Sequence, residues 1–446
     1  MTITNKRPDT LRPATVRGLV LALAAAAAAV PAVGFAAPAA AQSNVVASVA
    51  DFYRVRGGAP LWLNPAAGNA AEQMVLFLRT AGADGLNPNR YRANQVARAV
   101  AAARRGDPRA VQRAEMMLSE AFVAYARDLK REPNVGIIYV DPELRPAPPS
   151  AGALLGQAAS APSLSRYVAR MGWMSPVYAR LREALAQRMY TNEYQRRLIA
   201  TNLERARALP SGNQRYVIIN PAAQRLYMYE NGEVVDQMRV VAGKPERVAQ
   251  TPMMHAYLRF VALNPYWNSP PDITAHKLAP NVLKRGAAYL KEKGYDVMSD
   301  WSENARVVDP KTVDWKAVVA GQKEIRLRQR PGPANSMGRM KFMFPNDQGI
   351  WLHDTPNKES LDEAARLSSN GCVRLEDAPR FARWLFGRPL KPVGAKPEQK
   401  VALPTPMPLY ITYLTAVPSG SSIVYFDDLY GKDTRRIAGR TGQSKG

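Results

Sequence analysis

The pattern of apolar residues changes near residue 211, and this change limits the folds open to the chain. Before it, apolar residues recur at helical spacing in three segments, 110–129, 177–189 and 194–209. After it come short runs rich in β-branched and aromatic residues, 216–220 and 225–229. The dipeptide Asn231-Gly232 follows, which is typical of a two-residue hairpin. The sequence therefore predicts an α+β protein, with a helical domain over 42–208 and a β-rich domain over 211–430.

Smaller features refine this division. Further strands are predicted over 254–263 and 349–353, and late ones over 402–417 and 421–426. The stretch between 273 and 325 is helical or irregular, and it is interpreted as an insertion. A helix is predicted over 377–385, with Asp377 as its cap. The Pro-, Ala-, Gly- and Ser-rich stretch 141–163 is interpreted as a long loop. The last residues, 431–446, are expected to form a flexible basic tail.

The first 41 residues have the layout of a secretory signal peptide. A basic segment with Lys6, Arg7, Arg12 and Arg17 precedes the apolar run 19–30, and Ala39-Ala40-Ala41 offers a cleavage site of small residues. The alternative is an uncleaved membrane anchor, but prolines and a glycine interrupt the far end of the run. We expect cleavage near Ala41 and a mature protein in the periplasm without a transmembrane segment.

The formal net charge is +24. The leader holds four basic residues and one acidic residue, so the mature chain keeps 24 − 3 = +21. Such a charge attracts polyanions. For an exported protein an anionic cell wall or membrane surface is a better partner than nucleic acid. The other interpretation is that the widely spread arginines are simply solvated surface.

Cys372 is the only cysteine, so the chain has no disulfide framework. Gly371 before it permits a tight turn, in which the amides of Asn370, Gly371 and Cys372 are expected to converge as an oxyanion hole. Arg374 adds positive charge beside the sulfur. Two interpretations remain: Cys372 is a nucleophile, or it is a small buried hydrophobic residue, as free cysteines commonly are.

His353 is the histidine best placed to act as a base for Cys372. It ends a predicted strand, and the loop 354–371 is long enough to bring Cys372 back beside it. His255 and His276, the other two histidines, are expected to have packing or surface roles. One cysteine and three scattered histidines do not provide the ligand spacing of a zinc site, so we expect neither metal nor cofactor.

Several motifs in the second half resemble the L,D-transpeptidases with a YkuD-type catalytic domain, in particular their large, periplasmic, scaffold-bearing subgroup. The motifs occur in family order and cover about half of the chain, at residues 216–220, 241–245, 250–252, 264–267, 328–335, 338–346, 353–356, 369–374 and 411–416. The helical half resembles the scaffold domain of that family more loosely, through Asp84-Gly85-Leu86-Asn87.

The resemblance implies a YkuD-type β-sandwich, with residues 265–330 as a capping subdomain over the active site. It implies that Cys372 attacks the carbonyl between diaminopimelate and D-Ala in a tetrapeptide donor stem of peptidoglycan, with His353 as general base. D-Ala leaves, and an acceptor stem resolves the thioester into a 3→3 crosslink. It also implies inhibition by carbapenems, which acylate the cysteine. Supporting or substrate-binding roles are expected for Arg374, Asp354, Ser369, Trp267 and Tyr266.

One position departs from the family pattern. Asn370 stands where the family usually has His or Ser, and we expect it to contribute only its backbone amide. Asp354 has two equal interpretations, since it either orients His353 or shapes the turn at Thr355-Pro356. The same thioester passed to water would make the protein an L,D-carboxypeptidase or endopeptidase. A third hypothesis is a non-catalytic, basic wall-binding scaffold protein.

Overall fold

Eight α-helices build the first half of the described chain, and most begin at a capping side chain. The computed structural model describes residues 48–443, so the predicted leader lies outside the described residues. The helices are α1 (Val49–Val55), α2 (Ala70–Arg79), α3 (Ala93–Ala103), α4 (Pro108–Leu129), α5 (Ala151–Ser160), α6 (Leu164–Ala169), α7 (Pro176–Ala186) and α8 (Glu193–Ala206). In α4, for example, the Asp107 carboxylate accepts the amide of Ala110 at 2.8 Å, and Pro108 occupies the first helical position.

Helix α5 corrects the prediction of a loop over 141–163. The Ser150 hydroxyl accepts the amide of Ala153 and starts the helix. Leu154 and Leu155 are almost completely buried in the core of the helical half. The many alanines favour a helix once two leucines anchor it, and composition alone did not show this.

The strands of the second half pair into a closed ring around a hydrophobic core. Around the ring the order is β5 (Met254–Leu263), β10 (Met340–Met343), β11 (Leu352–His353), β13 (Val373–Leu375), β4 (Glu233–Gly243), β3 (Arg225–Glu230), β2 (Tyr216–Asn220) and β14 (Gln399–Ile411). Strand β14 closes the ring by pairing with β5. Outside the ring, β1 (Ile138–Tyr139) pairs with β5, β12 (Leu367–Ser369) pairs with β4, and β15 (Ala416–Ser419) pairs with β16 (Ser422–Tyr425). The expected fold class, a helical domain followed by a strand-rich one, is confirmed.

Two local predictions in this half are also confirmed. Asn231 and Gly232 have φ angles of 53° and 78°, and they connect β3 to β4 as the two-residue hairpin requires. Helix α13 (Ala378–Phe386) begins at Asp377, whose carboxylate accepts the amide of Arg380 at 2.9 Å. The strand predicted over 349–353 is shorter than expected and contains only Leu352 and His353.

The insertion forms a subdomain with its own core. A four-stranded sheet contains β6 (Trp267–Asn268), β7 (Tyr295–Met298), β8 (Val307–Val308) and β9 (Arg326–Gln329). Its helices are α9 (Pro271–Ile273), a π-helical turn (Thr274–Leu278), α10 (Ala279–Arg285), α11 (Ala288–Glu292) and α12 (Trp315–Val319). A separate cluster of buried side chains, including Leu278, Val297 and Leu327, lies between sheet and helices. We call residues 265–330 the capping subdomain.

The two halves are not independent in space. One buried cluster joins residues of the scaffold helices to Tyr216, Ile218 and Tyr410 of the ring. Residues Lys432–Gln443 form helix α14, so the prediction of a flexible tail is wrong there. The carboxylate of Asp433 is completely buried and accepts hydrogen bonds from Arg205 and Thr415, which fixes the start of α14 against α8.

His255 should make the fold sensitive to acid. It is completely buried between the rings of Tyr139 and Tyr410, with centroids at 5.2 and 4.6 Å. Burial lowers its pKa from 6.5 to about 3. The unfolded chain therefore takes up a proton below pH 6.5 that the folded chain does not, and stability is lost as the pH falls. Between pH 6.5 and 4.5 this effect should cost the wild type roughly 2–3 kcal/mol of stability, at ~1.4 kcal/mol per pH unit. His255→Phe should not show that part of the loss.

Urea unfolding at the two pH values measures this, with His276→Gln as the control because His276 is exposed. The same acid-induced loss in His255→Phe and in the wild type would contradict the prediction.

Candidate functional site

His353 ends strand β11, and Cys372 directly precedes the adjacent strand β13. Strands β11 and β13 are parallel, with Leu352 opposite Val373 and His353 opposite Arg374. Leu352 and Val373 are completely buried in the ring core. Since side chains alternate along a strand, His353 points to the other face, and continuing the alternation one residue before β13 assigns Cys372 to that face as well. They are then diagonal neighbours on adjacent segments, with Cα atoms about 7–8 Å apart, a distance that an imidazole side chain can bridge. The prediction that the loop 354–371 returns Cys372 toward His353 therefore agrees with the strand register.

The ring of His353 is held by one backbone carbonyl. His353 is 4% exposed, and its Nδ1 lies 2.5 Å from the carbonyl oxygen of Asp354. Because a carbonyl only accepts, the neutral imidazole carries its proton on Nδ1 and leaves Nε2 as an acceptor. Burial lowers the pKa of His353 to about 4, and the charges of Arg374 and Lys341 act in the same direction. The imidazole is therefore neutral at pH 7.

The thiol of Cys372 is half-buried and points toward the carbonyl of Gly349, at 3.6 Å. Burial raises its pKa, against the opposing effects of the Trp351 backbone and of the Lys341 and Arg374 charges. The resting site thus combines a protonated thiol with a neutral imidazole. In that state the chemistry open to the pair is proton transfer from sulfur to nitrogen as the sulfur attacks an electrophile.

Ser369 closes the turn that carries the cysteine. Its hydroxyl donates to the carbonyl of Cys372 at 2.5 Å and accepts the amide of Gly371 at 3.1 Å. The Gly371 amide is thereby removed from the three amides predicted for an oxyanion hole. Among residues 48–443 the amides of Asn370 and Cys372 have no hydrogen-bond partner, so these two remain available.

A second set of contacts, made by Thr251, holds Gly371 against Gly243 of strand β4. The Thr251 hydroxyl donates to the carbonyl of Gly371 at 2.8 Å and accepts the amide of Gly243 at 2.9 Å. Gly371 has a φ of 106°, a conformation that favours glycine. A Cβ on Gly243 would lie 2.0 Å from the carbonyl oxygen of Ala249, so only glycine fits there. Tyr430 completes the support by donating its hydroxyl to the carbonyl of Gly243 at 2.6 Å.

The side chain of Asp354 shapes the turn, as the second of the two interpretations given above expected. Its carboxylate accepts the amide of Arg339 at 3.0 Å and pairs with the ammonium of Lys358 at 2.9 Å. Only its backbone carbonyl contacts His353. The side chain of Asp354 therefore serves the loop, and its main chain holds the imidazole.

The remaining predicted residues occupy different places around the site. Arg374 is half-buried beside Cys372, on the face that also carries His353. Asn370 is exposed, with its side-chain amide 3.5 Å from the Asp272 carboxylate of the capping subdomain, a long contact. Trp267 packs beside Tyr295 in the capping core, and the ring of Tyr266 lies under Arg328. The side chains of Trp267 and Tyr266 contact residues of that subdomain, and the Tyr266 amide donates to Glu398; neither residue has a described contact with Cys372 or His353.

Sequence reasoning missed four residues that position or charge the site: Lys341, Trp351, Thr251 and Tyr430. Lys341 lies directly opposite His353 on β10, and its ammonium is 4.1 Å from the ring centroid of Trp351. Strand alternation places Lys341 outside the ring because Met340 and Phe342 are buried. That signal was present in the sequence of 340–343. Thr251 lies in the motif 250–252, but its contacts depend on distant segments, as do those of Tyr430.

Within the described part of the chain, no cluster of three or more His, Cys, Asp or Glu side chains is arranged to hold a metal ion. No helix in residues 48–443 is both long and apolar enough to cross a bilayer.

The fold and this site define a strand-rich domain that carries one cysteine and one histidine on adjacent segments and follows a helical domain in the chain. Residues 214–396 match the family model of the L,D-transpeptidase catalytic domain, YkuD, and residues 47–185 match that of the scaffold domain. The chain therefore contains a YkuD L,D-transpeptidase catalytic domain preceded by a scaffold domain, as the motifs predicted.

A curated relative supports the same assignment. The Haemophilus influenzae protein named "Putative L,D-transpeptidase" is 29% identical over 242 residues, which is 53% of this chain and 48% of the relative. The chain thus spans about half the length of the curated relative that it matches.

Proposed function

We propose that this protein is a peptidoglycan L,D-transpeptidase in which Cys372 is the nucleophile and His353 the general base. The observation that carries the proposal is the pairing of β11, which ends at His353, with β13, which Cys372 directly precedes, together with a neutral imidazole whose Nε2 can accept the thiol proton. The catalytic-domain match over 214–396 and the curated relative support the reaction class.

The first half-reaction follows from these groups. As the sulfur bonds to the carbonyl carbon between diaminopimelate and D-Ala, His353 Nε2 takes the thiol proton. We assign the amides of Asn370 and Cys372 as the donors to the oxyanion, because neither has a hydrogen-bond partner among residues 48–443. When the carbon–nitrogen bond breaks, the imidazolium returns its proton to the departing amine. D-Ala leaves and a thioester to Cys372 remains.

The second half-reaction restores the enzyme. The side-chain amine of diaminopimelate on a second stem attacks the thioester carbonyl while His353 takes a proton from that amine. The carbon–sulfur bond breaks, the thiolate recovers the proton, and a 3→3 crosslink is released. Water as the attacking group would give a shortened stem instead. We infer that the site lies in the periplasm, where peptidoglycan stems are accessible, and that carbapenems acylate Cys372.

The test is to incubate the purified protein with tetrapeptide muropeptides, beside Cys372→Ala. Wild-type protein should release D-Ala and form dimers, and Cys372→Ala should form neither. Shortened monomers without dimers would assign the protein as a carboxypeptidase. No product from folded wild-type protein, and no carbapenem adduct in its intact mass, would favour the non-catalytic wall-binding hypothesis.

A further inference from the structure

Basic side chains form a row across the face of the ring that carries Cys372. Arg374 lies opposite His353, His353 lies opposite Lys341, and Lys341 lies opposite Ala262. Residues directly opposite each other share a face of the sheet, and adjacent strands are about 4.8 Å apart. Lys341 is therefore one strand beyond His353, on the side away from Arg374. A substrate carbonyl held between sulfur and imidazole would have a cation on both sides.

Lys341 is a cation that lacks an anion in the resting protein. Its side chain is half-buried against the ring of Trp351, and within residues 48–443 it forms no salt bridge. Glu398 is the acidic residue that acts on its charge, but one oxygen of that carboxylate is engaged with the amide of Tyr266 at 2.6 Å. Burial lowers the pKa of Lys341. A half-buried ammonium of this kind is stabilised by any carboxylate that enters the site.

We propose that Lys341 binds a carboxylate of the donor peptide stem, beside the carbonyl that Cys372 attacks. The inference rests on the proposed function, since a tetrapeptide stem offers a carboxylate on its terminal D-Ala and another on the diaminopimelate side chain. Both groups present the same chemistry to an ammonium. Lys341 would thus select stems by charge and position the scissile bond, in addition to any effect on the sulfur.

The experiment compares three donors: the native tetrapeptide stem, the stem with its terminal carboxylate amidated, and the stem with its diaminopimelate side-chain carboxylate amidated. Wild-type protein should lose about 10- to 100-fold in kcat/KM for the donor that lacks the recognised carboxylate, the size typical of a hydrogen bond to a charged group. In Lys341→Gln the kcat/KM values for the native and the amidated donor should differ by no more than about 3-fold, and Lys341→Arg should restore part of the wild-type ratio between them. Whichever amidated donor shows the effect identifies the carboxylate.

Lys400→Gln is the matched control. Lys400 lies opposite Ala262 from the other side, two strands from Lys341, and its ammonium lies over the ring of Phe260 at 5.6 Å. The Lys400→Gln variant should keep the wild-type ratio of kcat/KM between the native and the amidated donor. The proposal is overturned if Lys341→Gln keeps that ratio as well, or if it slows all three donors equally, which is the result for a lysine that acts only on the sulfur.

Failure of the proposed function would look different. In that case the wild-type protein would not release D-Ala from the native stem either. Calorimetric binding of the three stems to Cys372→Ala then decides the role of Lys341 without turnover. Weaker binding of one amidated stem, absent in Cys372→Ala/Lys341→Gln, supports the carboxylate site, and equal affinities for all three overturn it.

Discussion

Replacing His353 with glutamine should lower kcat/KM for D-Ala release by about 10²- to 10⁴-fold, the range that general-base catalysis usually contributes. Glutamine fills similar space and keeps a polar group near the Asp354 carbonyl, but it cannot take the thiol proton. Release of D-Ala from a tetrapeptide muropeptide, followed by chromatography, measures the loss. His276→Gln is the control, because His276 is exposed on the capping subdomain.

The pH profile gives a second measurement of the same residue. Since the pKa of His353 is lowered to about 4, its base form persists well below pH 6.5. The wild-type rate should therefore keep its value from pH 7 down to about pH 5, and fall as the imidazole takes up a proton. A His353→Gln variant with more than a tenth of the wild-type rate, or a wild-type acid limb centred near pH 6.5, would contradict the role and the environment assigned to this histidine.

Replacing Arg205 with methionine should destabilise the protein by about 3–5 kcal/mol, because it leaves a buried carboxylate without its cation. Arg205 and Asp433 are 2% and 0% exposed, and Arg205 also donates to the carbonyl of Tyr413 at 2.9 Å. Their pair joins α8 of the scaffold half to the start of α14. Denaturant unfolding measures the loss, and proteolysis should cut first near residue 432 because α14 loses its attachment.

The double variant Arg205→Met/Asp433→Leu is the control for this prediction. Removing both charges avoids the unpaired carboxylate, so most of the lost stability should return. A surface pair offers a second comparison: Arg104 and Glu72 are each about half exposed, and Arg104→Met should cost less than about 1 kcal/mol. Equal losses for Arg205→Met and Arg104→Met would show that the buried pair does not hold α14 in place.

Predictions from pattern and composition are confirmed where local chemistry decides the structure. Asn231-Gly232 forms a hairpin because those residues accept positive φ, and Asp377 caps a helix because its carboxylate reaches a free amide. They were wrong where a few distant contacts outweigh composition. The stretch 141–163 contains a helix because Leu154 and Leu155 pack into the core of the helical half. The segment 432–443 forms a helix because Asp433 pairs with Arg205.

The sequence by itself determined the division near residue 211, the family motifs and the two residues best suited to the chemistry. Those features depend on residue type and on neighbours along the chain. Only the tertiary structure decided that the Gly371 amide is occupied, that the Asp354 main chain holds His353, and that Lys341 lies opposite His353. The first two are contacts between residues one or two apart, whose backbone angles are fixed where the folded loops pack against Thr251, Arg339 and Lys358. The third depends on the register between β10 and β11, which is set by packing between separate segments and is therefore not written in either one.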